Sequence, residues 1–93
     1  MKEMNRNIIT LVGKDHVGII AKVCTYLSDN NINILDITQT TVQEYINMMM
    51  IVDLELCKKD FAKVADELID VGKKINCVIK VQREDIFDMM HRV

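Results

Sequence analysis

The residues of this chain that could do chemistry lie in one short segment, between an apolar run and the start of a helical pattern. The segment reads Gly-Lys-Asp-His-Val-Gly-Ile over residues 13–19. It follows the run Ile8–Val12 and precedes apolar residues at helical spacing, so the sequence predicts a corner between a strand and a helix. Backbone N–H groups at a helix N-terminus lack intrahelical acceptors, and they can hold a carboxylate or another small anion.

The same corner also fits a purely structural interpretation. Gly13 would permit the bend, and the Asp15 carboxylate would cap the helix. Gly18 would fall in the first helical turn, where the missing side chain lets the backbone approach a neighbouring group. Because this composition is common at strand–helix joints, the corner alone leaves both interpretations open.

No catalytic or metal-binding set is predicted alongside the corner. His16 could contact a carboxylate or face solvent, and His91 falls on the polar side of a short helical pattern. The cysteines Cys24, Cys57 and Cys77 are odd in number and lack CxxC spacing, which favours reduced thiols and a cytoplasmic protein. Cys24 and Cys77 fall on apolar faces. We therefore expect no enzyme activity, no metal and no cofactor.

Composition narrows the class of protein. Ninety-three residues with 49% hydrophobic and 28% charged residues predict one globular domain over residues 1–93, with a core at about 7–82 and a tail at about 83–93. A net charge of −2 and an aromatic content of 4% argue against a nucleic-acid partner. No apolar run approaches the length of a membrane span, so we expect no membrane association.

Apolar periodicity predicts strand, helix, strand twice over. The predicted strands are 7–13, 33–43, 45–56 and 75–82, and the predicted helices are 17–30 and 59–73. This order predicts an α+β protein with the ferredoxin-like βαββαβ fold, a two-layer sandwich with a four-stranded antiparallel sheet.

Each predicted element has one apolar face. The residues expected to face the core are Val17, Ile20, Val23, Cys24 and Leu27 in the first helix, Ile46, Met48, Met50, Val52, Leu54 and Leu56 in the third strand, Phe61, Val64, Ala65, Leu68 and Val71 in the second helix, and Cys77, Ile79 and Val81 in the fourth strand. Gly72 is predicted to end the second helix. Asp53 and Glu67 are expected to face solvent.

The tail carries Ile86, Met89, Met90 and Val93 at helical spacing. A helix this short is marginal by itself, so it must dock on the sheet of its own subunit or on that of a partner.

Three passages resemble the ACT domain family, and in particular its small stand-alone members of about ninety residues. Residues 8–21 resemble the family's first strand and its G-x-D-x-x-G-I corner. Residues 31–34 resemble the entry into the second strand, and residues 81–92 resemble the tail of the stand-alone group. Val17 departs from the pattern, because many members have proline there.

The resemblance implies a non-catalytic regulatory module that binds a small molecule, often an amino acid, usually between two domains. The family's ligand-contacting positions fall here on Gly13, Lys14, Asp15, His16, Val17, Gly18, Ile19 and Asn33. The N–H groups of residues 17–19 could hold an α-carboxylate, while Asp15 or Asn33 could accept from an ammonium group. The resemblance implies no cofactor.

A homodimer is expected from the second strand, which should lie at a sheet edge with Asp36 as its only charge between Asn33 and Gln43. Such an edge invites pairing with another chain. The helix-free face is expected to carry four apolar side chains, which are Ile8, Val12, Ile51 and Val78.

Two alternatives remain open at this point. The chain could be a dimeric adaptor that binds another protein and has no ligand of its own. It could also be an RNA-binding domain of similar topology, although that class places exposed aromatic residues on the central strands.

Overall fold

Four strands and two helices follow one another in the order βαββαβ. A computed structural model describes residues 6–14 and 17–84. The elements are β1 (Arg6–Lys14), α1 (Ile19–Asp29), β2 (Asn33–Val42), β3 (Tyr45–Asp53), α2 (Phe61–Lys74) and β4 (Cys77–Arg83). The predicted α+β ferredoxin-like fold is confirmed. The tail is predicted over about 83–93; Arg83 is the last residue of β4, and residues 85–93 lie outside the described residues.

The sheet has the strand order β2-β3-β1-β4, and every neighbouring pair is antiparallel. Strands β2 and β4 therefore form its two edges. In the register between β1 and β3, Lys14 lies opposite Tyr45 at one end and Arg6 lies opposite Asp53 at the other. The turn that joins β2 to β3 contains Gln43 with φ 56°. None of the helices within residues 6–14 and 17–84 is long and apolar enough to span a bilayer.

The core lies between the helices and one face of the sheet. Its central strands contribute Ile9 and Leu11 from β1 and Ile46, Met48, Met50 and Val52 from β3, and its helices contribute Ile19, Val23, Leu27, Val64 and Leu68. The predicted inward face of β3 is confirmed as far as Leu54. Leu56 was expected in this core, but β3 ends at Asp53 and Leu56 is 74% exposed.

The first helix starts two residues later than predicted. Its core-facing residues are Ile19, Val23 and Leu27, a spacing of four residues that keeps them on one face. The assignment of Val17 and Ile20 to this face is wrong, since Val17 is fully exposed and Ile20 is 38% exposed. The sequence pattern was misread because Ile19 and Ile20 are adjacent and only the helix start decides which one turns inward.

Gly72 lies inside α2, so the prediction that it ends this helix is wrong. A Cβ atom at this position would lie 2.8 Å from the carbonyl oxygen of Cys77 and 3.0 Å from Cγ1 of Ile79. Glycine here lets α2 approach β4 closely. The helix continues to Lys74, and Asn76 then adopts a left-handed conformation with φ 57°.

Gly13 also serves close packing, and the expectation that it permits a bend is wrong. It lies within β1, opposite Ile46 on β3 and Cys77 on β4. A Cβ atom on Gly13 would collide with the Cys77 thiol and lie 3.1 Å from its Cα. The missing side chain therefore makes room for the buried Cys77 side chain.

Strand β2 is exposed along its whole length. All ten of its residues are solvent-exposed, including Ile34, Leu35 and Ile37. A register shift between Ile34 and Asp36 marks a bulge at Leu35. The predicted position of β2 at a sheet edge is confirmed.

On the sheet face opposite the helices, only some of the apolar side chains are exposed. Val12 and Val78 are cross-strand neighbours, and both are exposed. Ile8 and Ile51 are cross-strand neighbours nearer the other end of the same face, where Ile8 is buried and Ile51 is half-buried. All four residues thus lie on the predicted face, but exposed apolar surface is concentrated at the end where β1 finishes.

Candidate functional site

The corner leads from the end of β1 into the start of α1. Gly18 is the N-cap of α1 and has φ 95°, in the left-handed region that favours glycine. The first helical hydrogen bond runs from the N–H of Lys22 to the carbonyl of Gly18 at 3.0 Å. The N–H groups of residues 19–21 precede that bond, so they have no acceptor within the helix.

No side chain caps α1 among the described residues, and its first turn carries no acidic residue. The other helix differs, because Oδ1 of its N-cap Asp60 accepts from the N–H of Lys63 at 2.9 Å. Gly18 occupies the N-cap position, and the prediction that the Asp15 carboxylate caps α1 concerns a residue outside the described part of the chain. Asp15 and His16 themselves lie outside the described residues. The α1 N-terminus can therefore receive an acceptor from outside the helix.

The other predicted corner residues are accessible or fix the local backbone. The ammonium group of Lys14 lies 3.8 Å from Oε2 of Glu44, and both side chains are largely exposed. Val17 is 101% exposed. Ile19 is buried in the core and anchors the first helical turn. A ligand at this corner would meet Lys14, Val17 and the helix N-terminus directly.

Asn33 lies at the opposite end of the sheet from the corner. It is the first residue of β2 and pairs with Asp53, which in turn pairs with Arg6 at the start of β1. Lys14 is eight positions further along β1, or about 26 Å at about 3.3 Å per residue. The residues predicted to form one site are thus not brought together within a single protomer.

A cleft of about 370 Å³ opens at the Asn33 end of the molecule. We call it the α1–β3 cleft, since it lies between the turn after α1 and the segment that follows β3. Its lining consists of Ser28, Asn31, Ile32, Asn33, Asp53, Glu55 and Leu56. Among the described residues, this lining includes two carboxylates and neither lysine nor arginine.

Asp53 is buried in this cleft, which corrects the expectation that it faces solvent. Its Oδ1 accepts from the N–H of Glu55 at 3.0 Å and so fixes the turn that follows β3. Arg6, opposite Asp53 in the register, lies 3.6 Å from Glu84 in an ion pair. Sequence reasoning identified only Asn33 here, because the pairing of Asn33 with Asp53 requires the strand register.

A second cleft, of about 500 Å³, lies between the two helices. Tyr26 Oη donates to Glu67 Oε1 at 2.8 Å, and Lys59 Nζ donates to the same oxygen at 2.7 Å. Lys63 adds an ion pair to Glu67 at 3.7 Å. The three donors come from α1, from the segment before α2 and from α2 itself, and all of them bind the Glu67 carboxylate. We call this arrangement the Tyr26–Glu67–Lys59 cluster. It holds the two helices together, and its donors are already occupied by Glu67.

The cluster changes the pKa of both of its acids. The hydrogen bond from Lys59 and then that from Tyr26 lower the pKa of Glu67 below its ordinary value. Burial, followed by the hydrogen bond to Glu67, raises the pKa of the Tyr26 hydroxyl. The Glu67 side chain is only 29% exposed, which corrects the expectation that it lies on a solvated face.

The three thiols are not disulfide-bonded. Cys77 is buried, and burial raises the pKa of its thiol. Within residues 6–14 and 17–84, no three metal-ligating side chains of the His, Cys, Asp or Glu type come together.

Comparison with known proteins places these features in a family. The model of the ACT domain matches residues 7–73. A UPF0237 protein of Bifidobacterium longum is 56% identical over 90 residues, which is 97% of this chain and all of that protein. An ACT domain protein from Streptococcus pneumoniae is 38% identical with a TM-score of 0.80, over 91% of this chain and 96% of that one.

A larger regulatory protein shares the fold. The ligand-free regulatory subunit of aspartate kinase from Thermus thermophilus is 29% identical with a TM-score of 0.64. The similarity covers 86% of this chain and 52% of that one. On the family match and on the identity to full-length relatives, the chain belongs to the ACT domain family.

Proposed function

We propose that this protein is a non-catalytic regulatory module that binds an amino acid between two copies of itself. The ligand carboxylate lies at the corner of one protomer, and Asn33 of the partner subunit completes the site. The observation that carries this proposal is the separation of about 26 Å between the corner and Asn33 along the strands of one protomer. A site that uses both must be assembled from two chains.

Antiparallel pairing of two β2 strands would shorten the distance between the corner and an Asn33 side chain. A two-fold axis near the middle of β2 puts the start of one β2 beside the end of the other. Asn33 of the partner subunit then lies at the end of the sheet where Val42, Tyr45 and Lys14 are paired in neighbouring strands. The remaining distance is about three strand spacings, or about 14 Å, across the sheet.

The bulge at Leu35 limits where this pairing takes place. Regular β2 backbone runs from Asp36 to Val42. The bulge twists the part of the edge strand that precedes Asp36. The exposed Ile37 and the neighbouring threonine and glutamine residues would then lie at the centre of the joint. Pairing there joins two four-stranded sheets into one of eight strands and covers an edge that is bare in the protomer.

The start of α1 suits a carboxylate. Its first-turn N–H groups have no side-chain cap among the described residues, and the helix dipole adds partial positive charge. Lys14 adds a full positive charge nearby, since its pairing with Glu44 is loose and exposed. Backbone donors and one lysine can together orient a carboxylate without any catalytic group.

Family membership supports the same role. ACT domains are regulatory modules that often bind amino acids and often dimerise. The similar protein from Thermus thermophilus is by its name a regulatory subunit. These likenesses support regulation as the class of function, and the α-amino acid as the first ligand to test.

Measuring the thermal unfolding midpoint in the presence of each of the twenty amino acids tests the proposal. A ligand that binds only the folded dimer stabilises it by about 2.7 kcal/mol at a hundredfold excess over its Kd, and the unfolding midpoint therefore rises. Val17→Asp should abolish that shift, because a negative charge at the helix N-terminus repels the carboxylate. The same charge favours the helix itself. Val78→Asp, at an exposed valine on the other edge, should leave the shift intact.

Two results would contradict the proposal. The first is the absence of any stabilising amino acid, which would favour the dimeric adaptor without a ligand of its own. The second is an amino acid that stabilises wild type and Val17→Asp equally, which would place the ligand away from the corner.

A further inference from the structure

We infer that the C-terminal segment, residues 85–93, packs on the helix-free face of its own subunit and covers Ile8. The helix-free face is the side of the sheet opposite α1 and α2. Residues 85–93 lie outside the described part of the chain, so the support comes from the sheet residues beneath them. This contact is independent of any ligand and of the proposed shared site.

Ile8 is buried although it lies outside the core. Its side chain is 4% exposed, yet it does not belong to the apolar cluster between the sheet and the helices, which contains its neighbour Ile9. Ile8 lies between Ile51 on β3 and Gln82 on β4. Neighbours in the plane of a sheet shield the sides of a side chain and leave its tip open, because side chains point out of the pleat. The burial of Ile8 therefore indicates a group above the sheet.

This cover is confined to one end of the helix-free face. Ile51 and Gln82 are half-buried beside Ile8, whereas Val12 and Val78 at the other end are 48% and 62% exposed. Ile8 and Val12 both lie on β1, with β3 on one side and β4 on the other. Their positions within the sheet are thus equivalent, and a group over the Ile8 end accounts for the difference.

The chain leaves the sheet at this same end. Strand β4 ends at Arg83, which lies opposite Asn7. The carboxylate of Glu84 then lies 3.6 Å from the guanidinium of Arg6 on β1. Arg6 precedes Ile8 by two residues, so both side chains point to the helix-free face. The ion pair brings the chain from the edge strand towards β1 on that face, within one protomer.

The length and pattern of the segment suit the surface. Ile86, Met89, Met90 and Val93 have the spacing of one helical face. A helix over residues 85–93 would be about 14 Å long at about 1.5 Å per residue. The distance from β4 across β1 to β3 is about 10 Å, or two strand spacings. The apolar stripe can therefore reach from the end of β4 over Ile8 to Ile51.

Residues 1–5 are the other candidate cover within the same chain, since they precede Arg6 at this end of the sheet. They contain two apolar residues, both methionine, whereas residues 85–93 contain five. An apolar side chain such as Ile8 is stabilised by apolar contacts, which favours the C-terminal segment. Its docking closes this end of the face to other chains and leaves the exposed β2 edge for pairing.

Methyl NOEs in wild-type protein labelled at isoleucine and methionine test the contact directly. We expect NOEs from Ile8 and Ile51 to Met89 or Met90. In a mixture of labelled and unlabelled chains, an isotope filter selects contacts between different chains, and these NOEs should be absent there. The inference is overturned if Ile8 shows NOEs only to Met1 or Met4, if its NOEs to the segment pass the filter, or if no NOE joins the segment to the sheet.

Two neighbouring substitutions provide a matched pair. Met90→Asp places a charge on the apolar stripe, and His91→Asp places the same charge on the polar side of the helical pattern. Met90→Asp should release the segment, lower the urea midpoint and raise the fluorescence of an apolar dye by about twofold or more. His91→Asp should behave like wild type. Equal effects of the two variants, or no effect of Met90→Asp, would overturn the inference, and the NOE experiment needs neither variant to fold.

Discussion

Single residues decide how closely the two layers of this protein approach each other. Gly72 allows backbone contact between α2 and β4, and Gly13 leaves space for the side chain of Cys77. Gly18 differs from both, since a Cβ there would meet no atom within 4 Å but the backbone has φ 95°. Two of the glycines are thus required by space and the third by conformation.

Gly72→Ala should destabilise the protein by about 1–3 kcal/mol, because the new Cβ would press on the carbonyl of Cys77 at 2.8 Å. In an uncrowded helix the same change stabilises by about 0.5–1 kcal/mol. Urea denaturation, which gives the free energy of unfolding, shows whether Gly72→Ala destabilises or stabilises the protein. A Gly72→Ala protein more stable than wild type would show that α2 and β4 are less tightly packed than described.

Gly18 provides the comparison at a position without crowding. Gly18→Ala should cost about 1–2 kcal/mol through backbone strain alone, and Gly18→Asn should cost less, because asparagine tolerates the left-handed region. Equal losses in the two variants would mean that conformation is not what selects glycine here.

The glycines also show what could not be predicted from sequence at this scale. Gly13 and Gly72 resemble turn and helix-end signals, and each is such a signal in many proteins. Only the register of β1 with β4, and the approach of α2 to that strand, reveal the clashes that a side chain would cause.

The two helices are joined by the Tyr26–Glu67–Lys59 cluster. Tyr26→Phe removes one of the donors to Glu67, the one at 2.8 Å, and we expect it to lower the free energy of unfolding by about 1 kcal/mol. Tyr45→Phe removes the hydroxyl of an exposed tyrosine on β3 and should have almost no effect. Equal stability of Tyr26→Phe and wild type would show that the cluster does not hold α1 to α2.

The cluster also predicts how stability depends on pH. The pKa of Glu67 is lowered in the folded state, so its contribution is present above about pH 4.3, the ordinary glutamate value, and is lost as pH falls through the folded pKa. The pKa of Tyr26 is raised, so its contribution is present below about pH 10 and is lost as pH rises beyond that. Glu67→Gln should lose less stability than wild type as the pH falls below about 4.3. An equal loss in both proteins would contradict a contribution from the Glu67 carboxylate.

Most of the elements were predictable because their periodicity is strong. The inward face of β3 alternates over five buried residues from Ile46 to Leu54, and the α2 stripe centres on the buried Val64 and Leu68. Element ends were less predictable. Leu56 continues the apolar alternation of β3 in the sequence, although the strand has ended at Asp53. The side-chain pattern therefore does not show where backbone pairing stops.

The candidate site was predictable only in part. The corner follows from a local sequence of seven residues, so it could be located without a structure. The α1–β3 cleft joins residues 28–33 to residues 53–56, and only the pairing of Asn33 with Asp53 brings them together. Asp53, in the second of these stretches, was expected to face solvent.

The whole molecule exposes one complete edge of its sheet. Ile37 on β2 and Val78 on β4 are both exposed apolar residues on edge strands, at 45% and 62%. If two copies pair through β2, Ile37→Lys should yield a monomer and Val78→Lys should remain a dimer in sedimentation equilibrium at micromolar concentration. A wild-type protein of 10.7 kDa, or equal dissociation of both variants, would contradict pairing through β2.

The shared site is the central claim, and a mixed dimer tests it most directly. Val17→Asp damages the corner, and Asn33→Ala damages the opposite end, so neither protein by itself should bind the amino acid that stabilises wild type. After the two are unfolded and refolded together, about half of the dimers contain one chain of each kind. Each mixed dimer then has one intact site of two, so calorimetric titration should recover about a quarter of the wild-type sites. Recovery of no sites would contradict the account, because a site contained within one protomer cannot be restored by mixing.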